Sequence, residues 1–267
     1  MNKILSVITV CKNSERTIKS CLCSCFELEG VEHIIVDGNS SDKTLEIIEE
    51  VSISRTNLTI VREDKPDGIY SALNLGISLA VGKYILVLNS DDELINFCQL
   101  VEDIKIQDSD ILVGRQLGII DEKHLITVGF EKIRHGPTQR MPWPHGSMLV
   151  KKEFIDCVGN YNTNYTMSSD LDWVNKALLI YPTVKYLDYD ISIFRFGGIS
   201  TTSLYGPIES FKIFRVYGGP YIIGSLKLAR ALTIKIMAKF FGWKNLFYLK
   251  KLFGLKTGIW HHKNNKF

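Results

Sequence analysis

Apolar and polar residues alternate along the first third of the chain in blocks that predict strands and helices in turn. Continuous apolar runs, typical of strands buried on both faces, lie at 4–11, 32–38, 58–63 and 83–92. Amphipathic segments that predict helices lie between them at 15–28, 43–52 and 68–82. Strands separated by such helices favour right-handed βαβ units. We therefore expect an α/β fold with a mostly parallel central sheet flanked by helices.

Polar residues follow each predicted strand, at the sheet edge where α/β proteins bind ligands. They are Thr9, Cys11 and Asn13, then Asp37 and Gly38, then Asp64, Asp67 and Gly68, and finally 89–93. Three strands thus bring carboxylates to one edge, and their repulsion predicts a cation or polar ligand among them. Carboxylate oxygens suit Mg²⁺ or Mn²⁺ together with substrate phosphates, which points to a nucleotide diphosphate. The sequence has no GxxxxGK[ST] and no GxGxxG after the first strand, so neither a P-loop nor a dinucleotide fold is indicated.

Several segments, taken in order, resemble a known family. They are SVITVCKNSERTIKSCL, IIVDGNSSDKT, DGIYSALNLGISLAVGKYILVLNSDDE, HGSMLVKKEF and GNYNTNYTMSSDLDW. Together they resemble the inverting GT-A glycosyltransferases of family 2, above all bacterial enzymes that build O-antigen or other surface polysaccharides on a lipid carrier. The resemblance covers residues 3–200 and implies a GT-A, Rossmann-like sheet.

The resemblance also implies site residues. The candidate nucleotide-sugar-binding residues are Thr9, Cys11, Glu15, Asp37, Asp67, Asp91 and Asp92. Asp37 would accept a hydrogen bond from uracil, which implies a UDP donor, while Asp91 and Asp92 would hold Mn²⁺ or Mg²⁺. Asn89 stands where relatives often carry the first acid of Asp-x-Asp, and 71–75 also departs from the family pattern, so contacts to the ribose and the donor sugar are expected to differ. Solvated turns are the alternative for Asp37 and Asp91.

Asp170 in the second half is the candidate catalytic base. An inverting transfer needs one carboxylate to take the proton of the acceptor hydroxyl. Asp170 matches the catalytic carboxylate of the family and precedes a predicted helix at 171–180, where a plain N-cap is the alternative role. Asp172, two residues further on, is expected to point elsewhere.

Three more residues are candidates for acceptor or diphosphate contacts. Trp143 lies between two prolines and could stack on a sugar, and His145 could touch the acceptor or the diphosphate. A structural histidine is the alternative. Arg195, followed by paired glycines, could neutralise the leaving phosphate from a loop that closes over the donor, with a simple loop as the alternative.

Charge is distributed unevenly along the chain. The 32 Lys and Arg against 29 Asp and Glu give a net charge of +3, yet residues 211–267 hold 12 basic and no acidic residues. Within 221–243 the charges occupy part of a helical wheel that Ile, Leu, Met and Phe otherwise fill. This pattern favours an interfacial helix on an anionic membrane, with a basic helix packed on the body as the alternative. No nucleic-acid-binding motif accompanies the charge.

These observations predict a transferase domain at 1–210, with a nucleotide-sugar half at 1–95 and an acceptor half at 96–210, and a basic amphipathic helical extension at 211–267. We expect transfer of hexose from UDP-Gal or UDP-Glc to GlcNAc-diphosphate-polyprenol, with a β linkage, at the cytoplasmic face of the bacterial inner membrane. The six cysteines have no CxxC pair and are expected to be reduced thiols, and no signal peptide is evident. A nucleotidyltransferase and a non-catalytic membrane-binding module are the alternatives.

Overall fold

The structure is a computed structural model that describes residues 3–64, 66–121, 124–128, 136–196, 198–252 and 260–262. Its first part alternates strand and helix as expected. The elements are β1 (Leu5–Cys11), α1 (Ile18–Ser24), β2 (Val31–Asp37), α2 (Thr44–Ser52), β3 (Leu58–Arg62), α3 (Ile69–Leu79), β4 (Tyr84–Val87), β5 (Glu93–Leu94) and α4 (Phe97–Lys105). The first and third helices are shorter than the segments that predicted them.

The second part mixes longer strands with helices. Its elements are β6 (Ile111–Asp121), β7 (His124–Val128), β8 (Met148–Lys151), α5 (Lys152–Val158), α6 (Ser169–Leu179), β9 (Val184–Arg195), α7 (Ile199–Thr202), α8 (Tyr205–Val216), α9 (Tyr221–Leu252) and β10 (Trp260–His262). A single 3₁₀ turn, His145–Ser147, leads into β8. Helix α9 is broken at Gly242, whose φ of 74° is outside the helical region.

One sheet runs through the molecule in the order β10-β7-β6-β8-β4-β1-β2-β3, with β9 beside β6 and β5 beside β9. The pairs β1–β2, β1–β4 and β2–β3 are parallel. The prediction of a mostly parallel sheet is wrong for the other half: β6 and β9 are parallel there, but β8 runs antiparallel to β4 and β6, and β7 to β6. Strands β6 and β7 follow each other too closely for a crossover, so they can pair only as antiparallel neighbours.

The core forms a layer on each face of the sheet. Alternate residues of β1 serve the two layers: Ile8 packs with α3 and α6, while Leu5 packs with α4. All seven residues of β1 are buried, as expected for a central parallel strand. The carboxyl ends of β1, β2 and β4 therefore meet at one edge, where the predicted acids lie.

The C-terminal helices lie against this body. The predicted boundary at 210–211 falls inside α8, and no helix among the described residues is long and apolar enough to cross a membrane. The amphipathic character of the extension is not confirmed, because α9 is apolar on both sides: Ala238 is buried toward the body, whereas Ile222 and Phe240 are exposed.

Candidate active site

Asp91 and Asp92 lie in a turn directly after β4. The backbone N–H of Asp92 donates to the carbonyl of Asn89, which closes the turn. Asp91 is half-buried, whereas Asp92 is fully buried. An apolar strand thus ends in two acids that differ in access to solvent.

Asp92 is a carboxylate with incomplete partners. Asn89 donates from Nδ2 to its Oδ2 at 3.0 Å, while Oδ1 has no hydrogen-bond partner among the described residues. Burial, reinforced by the neighbouring charge of Asp91, raises the pKa of Asp92 to about 8. The Asn89 contact gives this departure from Asp-x-Asp a structural role, because the amide holds the second acid.

Arg195 lies at the same turn, brought there by the end of β9. Its Nη1 donates to the Asp91 carbonyl at 3.1 Å, and its Nη2 pairs with Glu93 Oε1 at 2.6 Å. Burial raises the pKa of Asp91, and the guanidinium opposes that shift. A methyl group on Gly198 would lie 3.0 Å from Asp91 Oδ2, so the chain after Arg195 passes directly over this acid.

The residues present fit a divalent cation of the predicted kind. The donors are adjacent carboxylates, and the unpartnered Asp92 Oδ1 is a buried oxygen for which a cation would be a partner. The described residues contain no group of three or more His, Cys, Asp or Glu arranged to hold a metal. Asp91 and Asp92 would therefore hold Mg²⁺ or Mn²⁺ together with phosphate oxygens and water.

Asp37 and Cys11 lie together at the ends of β2 and β1. The Cys11 thiol is 3.7 Å from Asp37 Oδ1, and the two residues are partners in the parallel ladder. The Asp37 carboxylate accepts hydrogen bonds from the backbone N–H and the hydroxyl of Ser40. Its fully buried position makes it the anchor of the turn after β2, and the contact to uracil stays a prediction.

The other nucleotide candidates are scattered around this edge. Glu15 is exposed and accepts from the backbone N–H of Lys43, and Asp67 is exposed just before α3. The placement of Thr9 in the pocket is wrong, because Thr9 is fully buried and its hydroxyl pairs with His33 Nε2 at 2.9 Å. Thr9 precedes the end of β1 by two residues, about 7 Å of strand.

Asp170 lies in the first turn of α6. Its Oδ1 accepts from the backbone N–H of Leu171 at 2.8 Å and from the Tyr70 hydroxyl at 3.4 Å. Burial raises the pKa of Asp170, and the two donors and nearby His145 oppose this rise. The N-cap of α6 is Ser168, so the Leu171 contact is a local one inside the first turn, and the contact to Tyr70 of α3 is tertiary. Asp172 points elsewhere, as expected, toward Tyr217 of α8.

Aromatic residues surround Asp170. Tyr161 hydrogen-bonds His145 Nε2 through its hydroxyl at 3.0 Å, and its ring lies 5.7 Å from that of Tyr70. Asn74, one helical turn after Tyr70, accepts from the Tyr161 N–H and donates to its carbonyl, both at 2.9 Å. Burial lowers the pKa of His145, which favours the neutral ring. His145 therefore lies in the environment of the candidate base.

The 3₁₀ turn His145–Ser147 connects the two acidic regions. His145 faces Tyr161, while a methyl group on Gly146 would lie 3.4 Å from Asp92 Oδ2 and 2.8 Å from Gln116 Nε2. Consecutive residues thus touch the surroundings of Asp170 and of Asp92. The turn therefore connects the acids that follow β4 with the carboxylate of α6.

Trp143 does not take the role predicted for it. It is 1% exposed and packs in the core layer that also holds Trp173, so its ring offers no face to a sugar. The prolines on either side direct it inward. Stacking on a sugar is therefore wrong for Trp143 in this structure.

Several further residues build the site, although no role was predicted for them from the sequence. They are Tyr70, Asn74, Glu93, Gly146 and Tyr161. Most of them contact a predicted residue, whereas Asn74 contacts Tyr161. Only the aromatic and amide character of Tyr70 and Asn74 on one side of a predicted helix gave a local signal.

The model of the family described as "Glycosyl transferase family 2" matches residues 6–162, more than half of the chain. The chain belongs to glycosyltransferase family 2. The match includes the acids after β2 and β4 and the His145 turn, and it ends before Asp170. The family predicted from the sequence motifs is confirmed, and this glycosyltransferase has a GT-A-like fold with a curled mixed sheet.

Curated relatives agree with this assignment. A PGL/p-HBAD biosynthesis glycosyltransferase of Mycobacterium bovis is 25% identical over 225 residues, which cover 74% of this chain and 80% of the relative. Glycosyltransferase GlyG of Streptococcus pneumoniae is 26% identical over 118 residues, covering 43% of this chain and 39% of GlyG. The first similarity extends well beyond the residues that the family model matches.

Solved structures share the fold of this glycosyltransferase. S. aureus TarS in complex with UDP-GlcNAc superposes with a TM-score of 0.63 at 18% identity, covering 95% of this chain and 76% of that one. The mannosyltransferase PcManGT from Pyrobaculum calidifontis, in complex with GDP-Man and Mn²⁺, gives a TM-score of 0.63 at 16% identity, with 97% and 82% covered. Both are complexes with nucleotide sugars.

Proposed function

We propose that this glycosyltransferase moves a hexose from a UDP-sugar to a sugar carried on a lipid diphosphate, with inversion at the anomeric carbon. The observation that carries the proposal is the turn at His145–Ser147, which joins a pair of strand-end acids to one separate carboxylate. A pair suited to a cation and a single base are the two parts that a direct displacement requires. The donors in the TarS and PcManGT complexes support a nucleotide-sugar substrate.

In the proposed reaction Asp170 accepts the proton of the acceptor hydroxyl while that oxygen bonds to the anomeric carbon. The bond from the anomeric carbon to the diphosphate breaks, and the electron pair leaves with UDP. A raised pKa makes Asp170 a stronger base than an exposed aspartate, and burial among aromatic rings is the cause. Tyr70 keeps one carboxylate oxygen oriented, and the second stays available to the hydroxyl.

The leaving diphosphate would lie at Asp91 and Asp92. A divalent cation bound there would neutralise the charge that develops on the leaving oxygen. Arg195 already lies beside Asp91 and would contribute a second positive charge, although Glu93 shares it. The neutral His145 ring, paired with Tyr161, is suited to a hydrogen bond with an acceptor hydroxyl.

A lipid-linked acceptor would place the enzyme at a membrane surface, which we propose is the cytoplasmic face of the bacterial inner membrane. Helix α9 exposes large apolar side chains close to basic ones. The apolar set is Tyr221, Ile222, Leu226, Phe240 and Phe241, and the basic set is Lys227, Arg230 and Lys239. Ile222 and Phe240 are 74% and 79% exposed and, about five turns apart, project from one side of α9. This combination matches an anionic lipid surface.

The transfer is tested with purified enzyme, a synthetic GlcNAc-diphosphate-lipid and a panel of UDP-sugars, in Mn²⁺ or in EDTA. We expect one UDP-hexose to add one hexose in Mn²⁺ and none in EDTA, as measured by mass spectrometry. The anomeric coupling constant of the product, measured by NMR, should indicate a β linkage from an α donor. An α-linked product contradicts the inverting mechanism. Hydrolysis of the donor without transfer contradicts the proposed lipid-diphosphate-linked acceptor.

Membrane binding is tested by sedimentation with anionic liposomes. Deleting the chain from residue 211 is unsuitable, because it cuts α8 and removes the Tyr217 contact to Asp172. The Ile222→Ser, Phe240→Ser double variant should stay in the supernatant. Ile53→Ser is the matched control, since Ile53 is 87% exposed on another part of the surface and should not matter. If the double variant sediments with liposomes like the wild type, the proposed membrane-binding role of this side of α9 is wrong.

A further inference from the structure

Helix α8 holds the loop that leads to the candidate base. Glu209 accepts three hydrogen bonds from this loop: Oε1 from the Thr166 N–H at 2.9 Å and the Thr166 hydroxyl at 2.8 Å, and Oε2 from the Met167 N–H at 2.8 Å. Ser168 donates its hydroxyl to the Gly206 carbonyl at 3.2 Å. One carboxylate of α8 thus fixes the backbone a few residues before Asp170.

The same helix is tied to the residue beyond Asp170. The hydroxyl of Tyr217, at the end of α8, donates to Asp172 Oδ1 at 3.0 Å. Asp172 is 3% exposed, and Lys176 pairs with its other oxygen at 2.9 Å. Asp170 therefore lies between two segments that α8 holds, and its own side chain points to Tyr70.

These contacts lie outside the residues that define the family. The family match ends at 162, whereas the donors and acceptors in the contacts of Glu209, Ser168 and Tyr217 all follow that position. A carboxylate that accepts several hydrogen bonds is a strong constraint, since charged hydrogen bonds are about twice as strong as neutral ones. Catalysis depends on such constraint, because a misplacement of about 1 Å can lower a rate about 100-fold.

We propose that Glu209 and Tyr217 are positioning residues that set the place of Asp170, so that α8 is part of the catalytic unit rather than of a separable extension. Glu209 fixes the backbone before the base, and Tyr217 fixes the first turn of α6 after it. The inference rests on the proposed function, in which Asp170 is the base. Neither residue needs to touch substrate.

The test compares kinetics, donor binding and folding for Glu209→Ala, Glu209→Gln and Tyr217→Phe in the full chain. We expect Glu209→Ala to lower kcat about 10- to 100-fold with KM for the donor unchanged. Glu209→Gln keeps one carbonyl acceptor and should retain more activity than Glu209→Ala. Tyr217→Phe should lower kcat less, because it removes one hydrogen bond. Glu153→Ala, a surface acid of α5 paired with Lys151, is the control and should match the wild type.

Affinity for UDP with Mn²⁺ and the thermal unfolding midpoint separate positioning from a general structural role. UDP affinity should stay at its wild-type value, and the protein should remain fully folded at the assay temperature, in Glu209→Gln and Tyr217→Phe while kcat falls. Loss of kcat that follows loss of UDP affinity or of folded protein overturns the inference, and so does wild-type kcat in all three variants. Asp170→Asn, measured in the same assay, shows whether the positioning role or the proposed base is wrong. If Asp170→Asn is inactive and Glu209→Ala is fully active, only the positioning role is wrong. If Asp170→Asn is fully active, Asp170 is not the base.

Discussion

The two acidic regions of this glycosyltransferase are built in different ways. Asp92 ends an apolar strand, is fully buried, and has one donor, Asn89, and an oxygen without a partner among the described residues. Asp170 opens a helix and accepts from the Leu171 N–H and the Tyr70 hydroxyl. Burial raises the pKa of both carboxyl groups. The first region thus has a buried carboxylate oxygen without a partner among the described residues, whereas the second has two donors on one carboxylate oxygen.

This difference separates the chemical roles of the acids. A buried carboxylate pair without enough donors is stabilised by a cation. A single carboxylate with a raised pKa and a partly satisfied shell is suited to accept a proton. The comparison therefore predicts that variants of the two regions fail differently, one in donor binding and the other in turnover.

The largest effect is expected for Asp170→Asn. The amide cannot accept the acceptor proton, so kcat should fall by at least about 100-fold while UDP affinity stays unchanged. Product formation by mass spectrometry and calorimetric UDP binding measure the two quantities. Asp156→Asn is the control, because Asp156 pairs with Lys152 on the surface of α5 and should not affect either. Activity of Asp170→Asn within twofold of the wild type contradicts the assignment.

Asp91→Asn should show the opposite pattern. Loss of one carboxylate should weaken Mn²⁺-dependent UDP binding by at least about tenfold, since metal sites depend this strongly even on their outer partners. Calorimetry in Mn²⁺ and in EDTA measures the effect, and Asp170→Asn serves as the variant that binds normally. Equal UDP affinity of Asp91→Asn and wild type in Mn²⁺ would remove the distinction between the regions.

The sequence predicted the first half of the fold because its strands are continuous apolar runs separated by helices. The second half depends on pairings that sequence patterns do not encode. Strand β9 pairs parallel with β6 across a long separation, and β8 enters antiparallel between β4 and β6. Apolar alternation identifies a strand but not its neighbour or direction.

The site residues also divide into those that local sequence features predict and those that depend on distant contacts. Asp91, Asp92 and Asp170 were predictable because acids at a strand end or a helix start are local features. Tyr161 was not, since two hydrogen bonds with Asn74, 87 residues away in sequence, place it beside the candidate base. Thr9 and Trp143 were predicted wrongly because position in the chain does not give depth, and both side chains lie in the interior.

Gly146→Ala should affect both regions, because the neighbours of Gly146 belong to both. The new methyl group would lie 2.8 Å from Gln116 Nε2 and 3.4 Å from Asp92 Oδ2, so the turn must shift. We expect about 1–3 kcal/mol lower stability, and smaller losses of both UDP affinity and kcat than the two acid variants give. Loss of only one property would mean that the turn does not connect the regions.

Tyr70→Phe has the smallest expected effect and tests how the protein completes Asp170. The Tyr70 hydroxyl stabilises the ionised carboxylate, so its removal should raise the pKa of Asp170 further. Turnover needs the ionised form, and kcat/KM therefore falls as the pH falls through that pKa. The acid limb should move to higher pH, with kcat at high pH within about threefold of wild type. Tyr189→Phe, which breaks a tyrosine–aspartate hydrogen bond to Asp103 elsewhere, should leave the limb in place. If the acid limb of the kcat/KM profile of Tyr70→Phe stays in place or moves to lower pH, the Tyr70 hydroxyl does not stabilise ionised Asp170. Asp170 would then resemble Asp92 more closely than the structure indicates.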